Sequence, residues 1–426
     1  MDVTIGPAGP LKGEVRLPGD KSISHRYAML ASIARGVTTI RNYSTGADCA
    51  STLGCLESLG VKVEREGNTV RLEGRGREGL SKPASMLDAG NSGSTIRMLS
   101  GILAAQPFTS VIGGDESLSR RPMRRIMTPL EQMGARIRAR DAQYPPLEIE
   151  GRPLQPITYE LPVASAQVKT CVLFAGLFAP GETTLIEPLR TRDHTEIALR
   201  EFGAEVAVQG KRITVMGRPE LSGLDLEVPG DLSSAAFFLA AALLAPGSRI
   251  VIEQVGLNPT RAALLDFLRL MGAPVRILSV GHRHGELVGD VEAAYGPLRG
   301  GVVEGQWTAA LIDEIPVLAV LGATSEQGLE VRDARELRIK ETDRIAAVEE
   351  NLKRMGVAVK SWQDGFSVPG RQRLRAAELD SFGDHRIAMA FTVAALATEG
   401  PCTIRGAQAA RISYPEFFDT LRSLSG

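Results

Sequence analysis

One phrase recurs along the chain: a helix-like run, then Gly, then a β-rich run. It reads LESLGVKVE at Gly60, LEQMGARIR at Gly134, LREFGAEVAV at Gly203, LRLMGAPVRI at Gly272 and LKRMGVAVK at Gly356, and a degenerate sixth copy, LRSLSG, closes the chain at Gly426. The glycines are 74, 69, 69, 84 and 70 residues apart. A period of about 70 residues predicts six copies of one α/β unit. Glycine after the last helical turn supplies a left-handed C-cap, and the β-branched run behind it is the next strand. Each unit also holds an earlier helix rich in Ala, Leu and Met, beginning near Ser22, Ser92, Ser165, Leu232, Asp313 and Asp384. Each of these leads into a strand: VTTIR, FTSVIG, ETTLIE, SRIVIE, LEVRD and CTIRG.

A unit of this size folds alone only marginally, so three packed units predict one domain and six predict two similar domains. The division falls near Pro229-Gly230. Residues 1–18 have no unit of their own, and their strand patterns, VTIGP and GEVRLPG, are expected to complete the shortened last unit. The expectation is one three-unit domain over 19–229, another over 1–18 plus 230–426, and crossovers near Gly19 and Gly230.

Hydrophobic residues make up 43% of the chain and aromatics 5%, so the cores should be aliphatic. Lys plus Arg, 49, nearly cancels Asp plus Glu, 50, which argues against a nucleic-acid or membrane-surface partner and makes any basic site local. Cys49, Cys55, Cys171 and Cys402 form no CxxC pair, lack histidines at ligand spacing and read as small buried hydrophobes, so no metal is expected. The N-terminus has no basic region followed by an apolar run, and the longest apolar stretch, Ala235 to Ala245, is far short of a membrane span. A soluble cytoplasmic protein is expected.

A helix N-terminus offers unpaired N–H groups and partial positive charge, hence an anion site. The six first helices start with GDKSISHR (Gly19–Arg26), GNSGSTIR (Gly90–Arg97), SAQVK (Ser165–Lys169), DLSS (Asp231–Ser234), DEIP (Asp313–Pro316) and GDHR (Gly383–Arg386). N-capping alone accounts for Asp231 and Ser233. It does not account for Lys21, Arg26 and Arg386, because a cation in the first turn opposes the helix dipole by a few tenths to about 1 kcal/mol. A bound polyanion reverses that cost. Ser119-Arg-Arg-Pro-Met-Arg-Arg125 stacks four arginines at a helix expected to begin near Pro122. Lys340 and Arg344 are expected four apart on one helix face with Glu341 beside them, where surface pairing is the common explanation. His282-Arg-His284 reads as an exposed turn, and neither a nucleotide-binding fingerprint nor a nucleophilic serine motif is present.

Eight motifs in order resemble the enolpyruvyl transferase family, on the branch that accepts shikimate 3-phosphate: PGDKSISHR, DAGNSGSTIRML, SLSRRPM, VASAQVKT, TRDHTE, LIDEIPVLA, LRIKETDR and GDHRIAMAF. The resemblance implies an α/β fold of two similar domains, each of three βαβαββ units (an inside-out α/β barrel), with the active site in the interdomain cleft. It implies transfer of the enolpyruvyl group of phosphoenolpyruvate to the 5-hydroxyl of shikimate 3-phosphate, by addition and elimination, in aromatic amino-acid biosynthesis. Neither metal nor organic cofactor is implied, and a monomer is expected.

By motif, Lys21, Ser22, Arg26, Ser165, Gln167, Arg192, Asp313 and Lys340 fall where the family holds shikimate 3-phosphate. Lys21, Gly93, Arg121, Gln167, Arg344, His385 and Arg386 fall where it holds phosphoenolpyruvate. Asp313 is implied as base on the 5-hydroxyl, Glu341 as proton donor to and acceptor from the methylene carbon, and Lys21 as assistant at the phosphate. Ala166 stands where some members have a second Ser, TRDHTE replaces a Tyr-containing segment so that Arg192 takes the phosphate contact, and Arg411 is a candidate third arginine for phosphoenolpyruvate. With Gly at position 93, glyphosate is expected to compete with phosphoenolpyruvate. Two alternatives stand beside this. One is transfer to UDP-N-acetylglucosamine, whose enzymes usually carry a loop Cys near the Arg cluster, whereas no Cys lies between Cys55 and Cys171. The other is a non-catalytic anion-binding scaffold, which would be expected to have lost Asp313 or Glu341.

Overall fold

The computed structural model describes residues 1–425. Its helices of eight or more residues come in pairs, one pair per repeat: α1 (Lys21–Ile33) and α2 (Ala47–Ser58), α3 (Gly93–Leu103) and α4 (Arg124–Gln132), α5 (Ala166–Gly176) and α6 (His194–Glu201), α7 (Leu232–Leu244) and α8 (Ala263–Leu270), α9 (Ile315–Thr324) and α10 (Arg344–Arg354), α11 (His385–Leu396) and α12 (Phe417–Leu424). The odd-numbered helices begin within two residues of the starts read from the sequence. The repeated glycines at 60, 134, 203, 272 and 356 all have positive φ, as a left-handed C-cap requires. The sixth, Gly426, lies outside the described residues.

The chain divides into two compact bodies: Gly19–Val228 with Arg283–Glu286, and Met1–Pro18, Pro229–His282 and the chain from Leu287 onward. Each has its own aliphatic core. The composition of the first helices follows from their burial. All thirteen residues of α7 and all twelve of α11 are buried, so they carry no polar face. Their Ala and Gly content lets helices approach closely: on α3, packed against α5, a Cβ at Gly101 would lie 2.2 Å from the Cys171 carbonyl oxygen. The second helices bury one stripe, as α4 does with Ile126, Met127, Pro129 and Leu130.

Each repeat owns one sheet in which a short leading strand runs parallel to the strand after the first helix. In five of the six, an antiparallel hairpin completes the sheet. In the second unit these are Leu87–Asp88, Thr109–Gly113, Tyr144–Glu150 and Arg136–Arg140. The leading strands span two to five residues, too short to show alternation, so the residue pattern alone gives helix–strand–helix–strand where the structure is βαβαββ.

The N-terminal segment departs from the expectation in one respect. Val3–Ile5 does join the last unit, pairing antiparallel with Cys402–Arg405. Lys12–Arg16, the GEVRLPG strand, instead runs parallel to Arg249–Gly256 in the fourth unit. The cause is an exchange of leading strands at the crossovers. Asp225–Glu227 directly precedes α7 but pairs with Arg35–Arg41 of the first unit, so the fourth unit takes its leading strand from the chain before α1.

Candidate active site

Five of the six first helices are capped by the side chain just before them: Asp20 accepts from the Ile23 amide, Ser92 from Thr95, Ser165 from Val168, Asp231 from Ser233 and Asp384 from Arg386. A capped start fixes the first turn rigidly, and Lys21, Ser22, Ser165, Gln167, His385 and Arg386 sit at those starts.

In the body holding α1 to α6, Lys21 is the first residue of α1, and its Nζ lies 2.9 Å from Asp48 Oδ2. Arg26, one turn on, is 3% exposed. It donates from Nε to Thr195 Oγ1 at 2.7 Å, from Nη2 to Thr170 Oγ1 at 2.8 Å and from Nη1 to the Ser22 carbonyl at 2.7 Å. These acceptors are two hydroxyls and a carbonyl, so no carboxylate contacts its charge directly. Burial pushes its pKa down to about 10, against the pull of Asp20 and Glu196. An incompletely neutralised buried guanidinium is what an incoming phosphate can complete.

Gly93 opens α3, and a Cβ there would stand 3.0 Å from Arg97 Nη1 and 3.3 Å from Arg121 Nη1. Arg97 donates to Gln167 Oε1 at 2.7 Å, and Gln167 Nε2 donates to Ser94 Oγ at 3.0 Å. Arg121 is buried and donates to Asn91 Oδ1 at 2.8 Å and Ser117 Oγ at 3.1 Å. The structure therefore brings Gly93, Arg121 and Gln167 together. The four-arginine run splits: Arg121 is buried, Arg120 and Arg124 face solvent with Glu116 and Glu131 beside them, and Arg125 is half-buried. Helix α4 starts at Arg124, two residues after Pro122, and the Met123 amide before it donates to the Gln143 carbonyl at 2.7 Å. Ser165 and Arg192 are half-buried, and Arg192 lies close enough to Arg26 to lower its pKa further.

In the other body Arg344 organises a second cluster of these residues. It is 1% exposed and contacts three carboxylates: Nε to Asp384 Oδ2 at 2.8 Å, Nη2 to Glu341 Oε2 at 2.7 Å and Nη1 to Asp313 Oδ1 at 3.5 Å. Burial works against its charge, but Asp384, Glu341 and Asp313 outweigh it and the pKa is raised. Asp384 does two jobs, capping α11 through the Arg386 amide at 2.7 Å and holding Arg344. His385 is buried, with Nδ1 4.0 Å from Asp384 Oδ1. Arg386 Nη1 and Arg261 Nη2 lie 3.6 and 3.3 Å from Oε1 of the buried Glu314, which also accepts from Ser233 Oγ at 2.6 Å.

Lys340 and Arg344 do not share a helix face. Lys340 ends a 3-10 turn (Arg335–Ile339) with extended backbone, and Asp343 caps a new helix by accepting from the Ala346 amide, so Arg344 is its first residue. The carboxylate cap, not i,i+4 pairing, sets this geometry. Lys340 is half-buried, and that burial lowers its pKa while Asp313 opposes the shift. Arg411 is exposed in a 3-10 turn (Ala407–Ile412). The fourth helix start does more than cap, since Ser233 binds Glu314.

Several site residues carried no assignment from sequence: Arg97, Lys169, Arg261, Glu314 and Asp384. Arg97, Lys169, Glu314 and Asp384 lay inside quoted motifs, and their roles depend on partners far away in the chain. Arg261 follows Asn-Pro-Thr and had no local signal. The four cysteines are free and buried, and burial raises the Cys55 thiol to about 12. Among the described residues no group of three or more His, Cys, Asp or Glu could hold a metal, and no helix is long and apolar enough to cross a membrane.

The family model for EPSP synthase (3-phosphoshikimate 1-carboxyvinyltransferase) matches residues 5–421. The chain is 63% identical over 425 residues to the 3-phosphoshikimate 1-carboxyvinyltransferase of Solibacter usitatus, covering 100% of each. It is 55% identical over 423 residues to that of Koribacter versatilis, covering 99% of each. Its structure is similar to that of EPSP synthase from Acinetobacter baumannii, with a TM-score of 0.88, 40% identity and coverage of 99% of this chain and 98% of that one. The enolpyruvyl transferase NikO of Streptomyces tendae, at 22% identity and a TM-score of 0.81 over 99% of this chain and 96% of its own, shares the fold.

Proposed function

Since the chain belongs to the EPSP synthase family, the 3-phosphoshikimate 1-carboxyvinyltransferases, we propose that its own residues divide the work of that reaction as follows. The chain is an enzyme of the shikimate pathway that transfers a carboxyvinyl group from phosphoenolpyruvate to shikimate 3-phosphate. Asp313 removes the proton of the 5-hydroxyl as its oxygen bonds to C2 of phosphoenolpyruvate. Glu341 gives a proton to C3, turning the methylene into a methyl group and closing a tetrahedral adduct. Glu341 then takes a proton back from that methyl as the C2–O bond to phosphate breaks, with Lys21 balancing charge on the departing phosphate. Enolpyruvyl product and phosphate leave, and both carboxylates regain their starting forms after Asp313 loses its proton to solvent.

The observation that carries this assignment is the shared guanidinium. Arg344 contacts Asp313 and Glu341 together, so the two carboxyl groups proposed for chemistry are held at one point. Arg26, Arg192, Ser22, Ser165, Gln167 and Lys340 hold shikimate 3-phosphate, while Gly93, Arg121, Arg344, His385 and Arg386 hold phosphoenolpyruvate, with Lys21 and Gln167 serving both. Guanidinium forks suit phosphate and carboxylate bidentately, and lysine adds point charge. The enzyme acts as a monomer in the cytoplasm and needs no cofactor. Phosphate release assayed with each acceptor tests the reading. Release requires both phosphoenolpyruvate and shikimate 3-phosphate, and comparable release with UDP-N-acetylglucosamine would overturn it.

A further inference from the structure

The reaction as described uses no residue from the middle of α5, yet a buried charged cluster sits there. Lys169 is 0% exposed. Its Nζ lies 2.8 Å from Glu196 Oε1, 3.3 Å from Glu187 Oε1 and 3.4 Å from the Thr191 carbonyl oxygen. Glu187 directly follows the strand Glu182–Ile186, and its Oε1 accepts from the Thr191 amide at 3.2 Å and from the Thr191 hydroxyl. The backbone of Thr191 is thus gripped at both ends, by Glu187 at its N–H and by Lys169 at its carbonyl. Arg192 is the next residue. On the other side, Glu196 belongs to α6 beside Thr195, whose hydroxyl accepts from Arg26 Nε.

Burying a lysine with two glutamates is costly, and hydrophobic residues of similar volume often serve stability as well or better. The cluster is better explained by what it orders. The residues 188–193 join a strand to α6 without regular structure, and a loop that must present a guanidinium to a phosphate loses affinity if it is free to move. Glu196 also raises the pKa of Arg26, supporting its charge.

We propose that Lys169, with Glu187 and Glu196, is a positioning residue for shikimate 3-phosphate, acting through Arg192 and through the Thr195–Arg26 contact rather than by touching substrate. This rests on the assignment of Arg192 and Arg26 to that substrate.

The test is a double-mutant cycle of Lys169→Met and Arg192→Ala, read as KM for each substrate and kcat, with thermal melting to confirm folding. Lys169→Met raises KM for shikimate 3-phosphate about tenfold and leaves KM for phosphoenolpyruvate and kcat within about twofold. In the Arg192→Ala background the same substitution has a smaller effect, because much of what it positions is gone. Should Lys169→Met fail to fold, Thr191→Val, which deletes only the hydroxyl on Glu187, gives the same selective rise at smaller size. Independent, multiplying effects of Lys169→Met and Arg192→Ala, or equal losses for both substrates, overturn the proposal. An Arg192→Ala enzyme with unchanged KM for shikimate 3-phosphate instead overturns the assignment of Arg192 on which it rests.

Discussion

Replacing Gly93 by Ala perturbs one substrate and spares the fold. Gly93 is the buried first residue of α3 and has helical backbone, so alanine adds no strain there and gains helix propensity, up to about 1 kcal/mol in a helix interior and less at this end. The added methyl would meet Arg97 Nη1 at 3.0 Å and Arg121 Nη1 at 3.3 Å. Both are the far ends of flexible side chains, so each gives by a few tenths of an ångström at small cost. The consequence falls on recognition. A hydrogen bond to a charged group contributes about 1.5–3 kcal/mol, and misplacing Arg121 forfeits part of it. A loss of about 1 kcal/mol raises KM for phosphoenolpyruvate about fivefold. Glyphosate, a longer anion carrying carboxylate and phosphonate, is expected to compete for the same space, and its inhibition constant should rise by a larger factor. Steady-state kinetics with phosphoenolpyruvate varied, with and without glyphosate, reads both numbers, while KM for shikimate 3-phosphate stays as it was. Unchanged KM and unchanged inhibition constant would refute the placement of phosphoenolpyruvate at Gly93 and Arg121.

Three further outcomes are expected. Asp384→Asn removes the closest buried carboxylate from Arg344 while keeping an acceptor for the α11 cap, so calorimetry should show a loss of about 3 kcal/mol, and KM for phosphoenolpyruvate rises. Glu314→Gln keeps an acceptor for Ser233 but strips the counter-charge from Arg386 and Arg261, which weakens phosphoenolpyruvate selectively in the same kinetic assay. Lys340, lowered by burial below the ordinary 10.5, releases its proton in the folded chain before the unfolded one does. Between its lowered pKa and 10.5 the unfolded state therefore binds more protons, and its contribution to stability rises with pH. Affinity for shikimate 3-phosphate runs the other way, falling as pH rises through the Lys340 pKa. Titration calorimetry from pH 7 upward on the parent and Lys340→Arg checks this, since the arginine should hold affinity to higher pH.

What the sequence showed of this fold, it showed through local rules. The repeat was legible because a C-cap glycine and the β-branched run behind it are neighbours in the chain, and the first-helix starts because Asp and Ser cap locally. The exchange of leading strands was not legible: Lys12–Arg16 lies beside α1 in sequence and pairs with Arg249–Gly256, and a five-residue strand says nothing about a distant partner. Within the site, the cations announced themselves by opposing the helix dipole at Lys21 and Arg386, whereas Arg26, the sixth residue of α1, lies beyond the first turn where that effect acts. The carboxylates and hydroxyls that hold them, Asp384 under Arg344 and Thr195 under Arg26, did not, because Asp and Thr at such positions are ordinary caps and turn residues. The Lys340–Arg344 segment misled because helical spacing was assumed across Asp343, whose side chain starts the helix afresh.

The chemical roles of Asp313 and Glu341 are tested most directly by running the reaction in deuterium oxide. If the adduct forms by protonation of C3 and collapses by loss of a proton from the resulting methyl, the methylene of the enolpyruvyl product acquires deuterium, read by mass spectrometry or proton NMR. The parent enzyme should incorporate it, and Glu341→Gln should bind shikimate 3-phosphate normally but lose both turnover and incorporation by a factor of about 10²–10⁴. Product free of deuterium at the methylene, or incorporation by Glu341→Gln at the parent rate, would contradict the account.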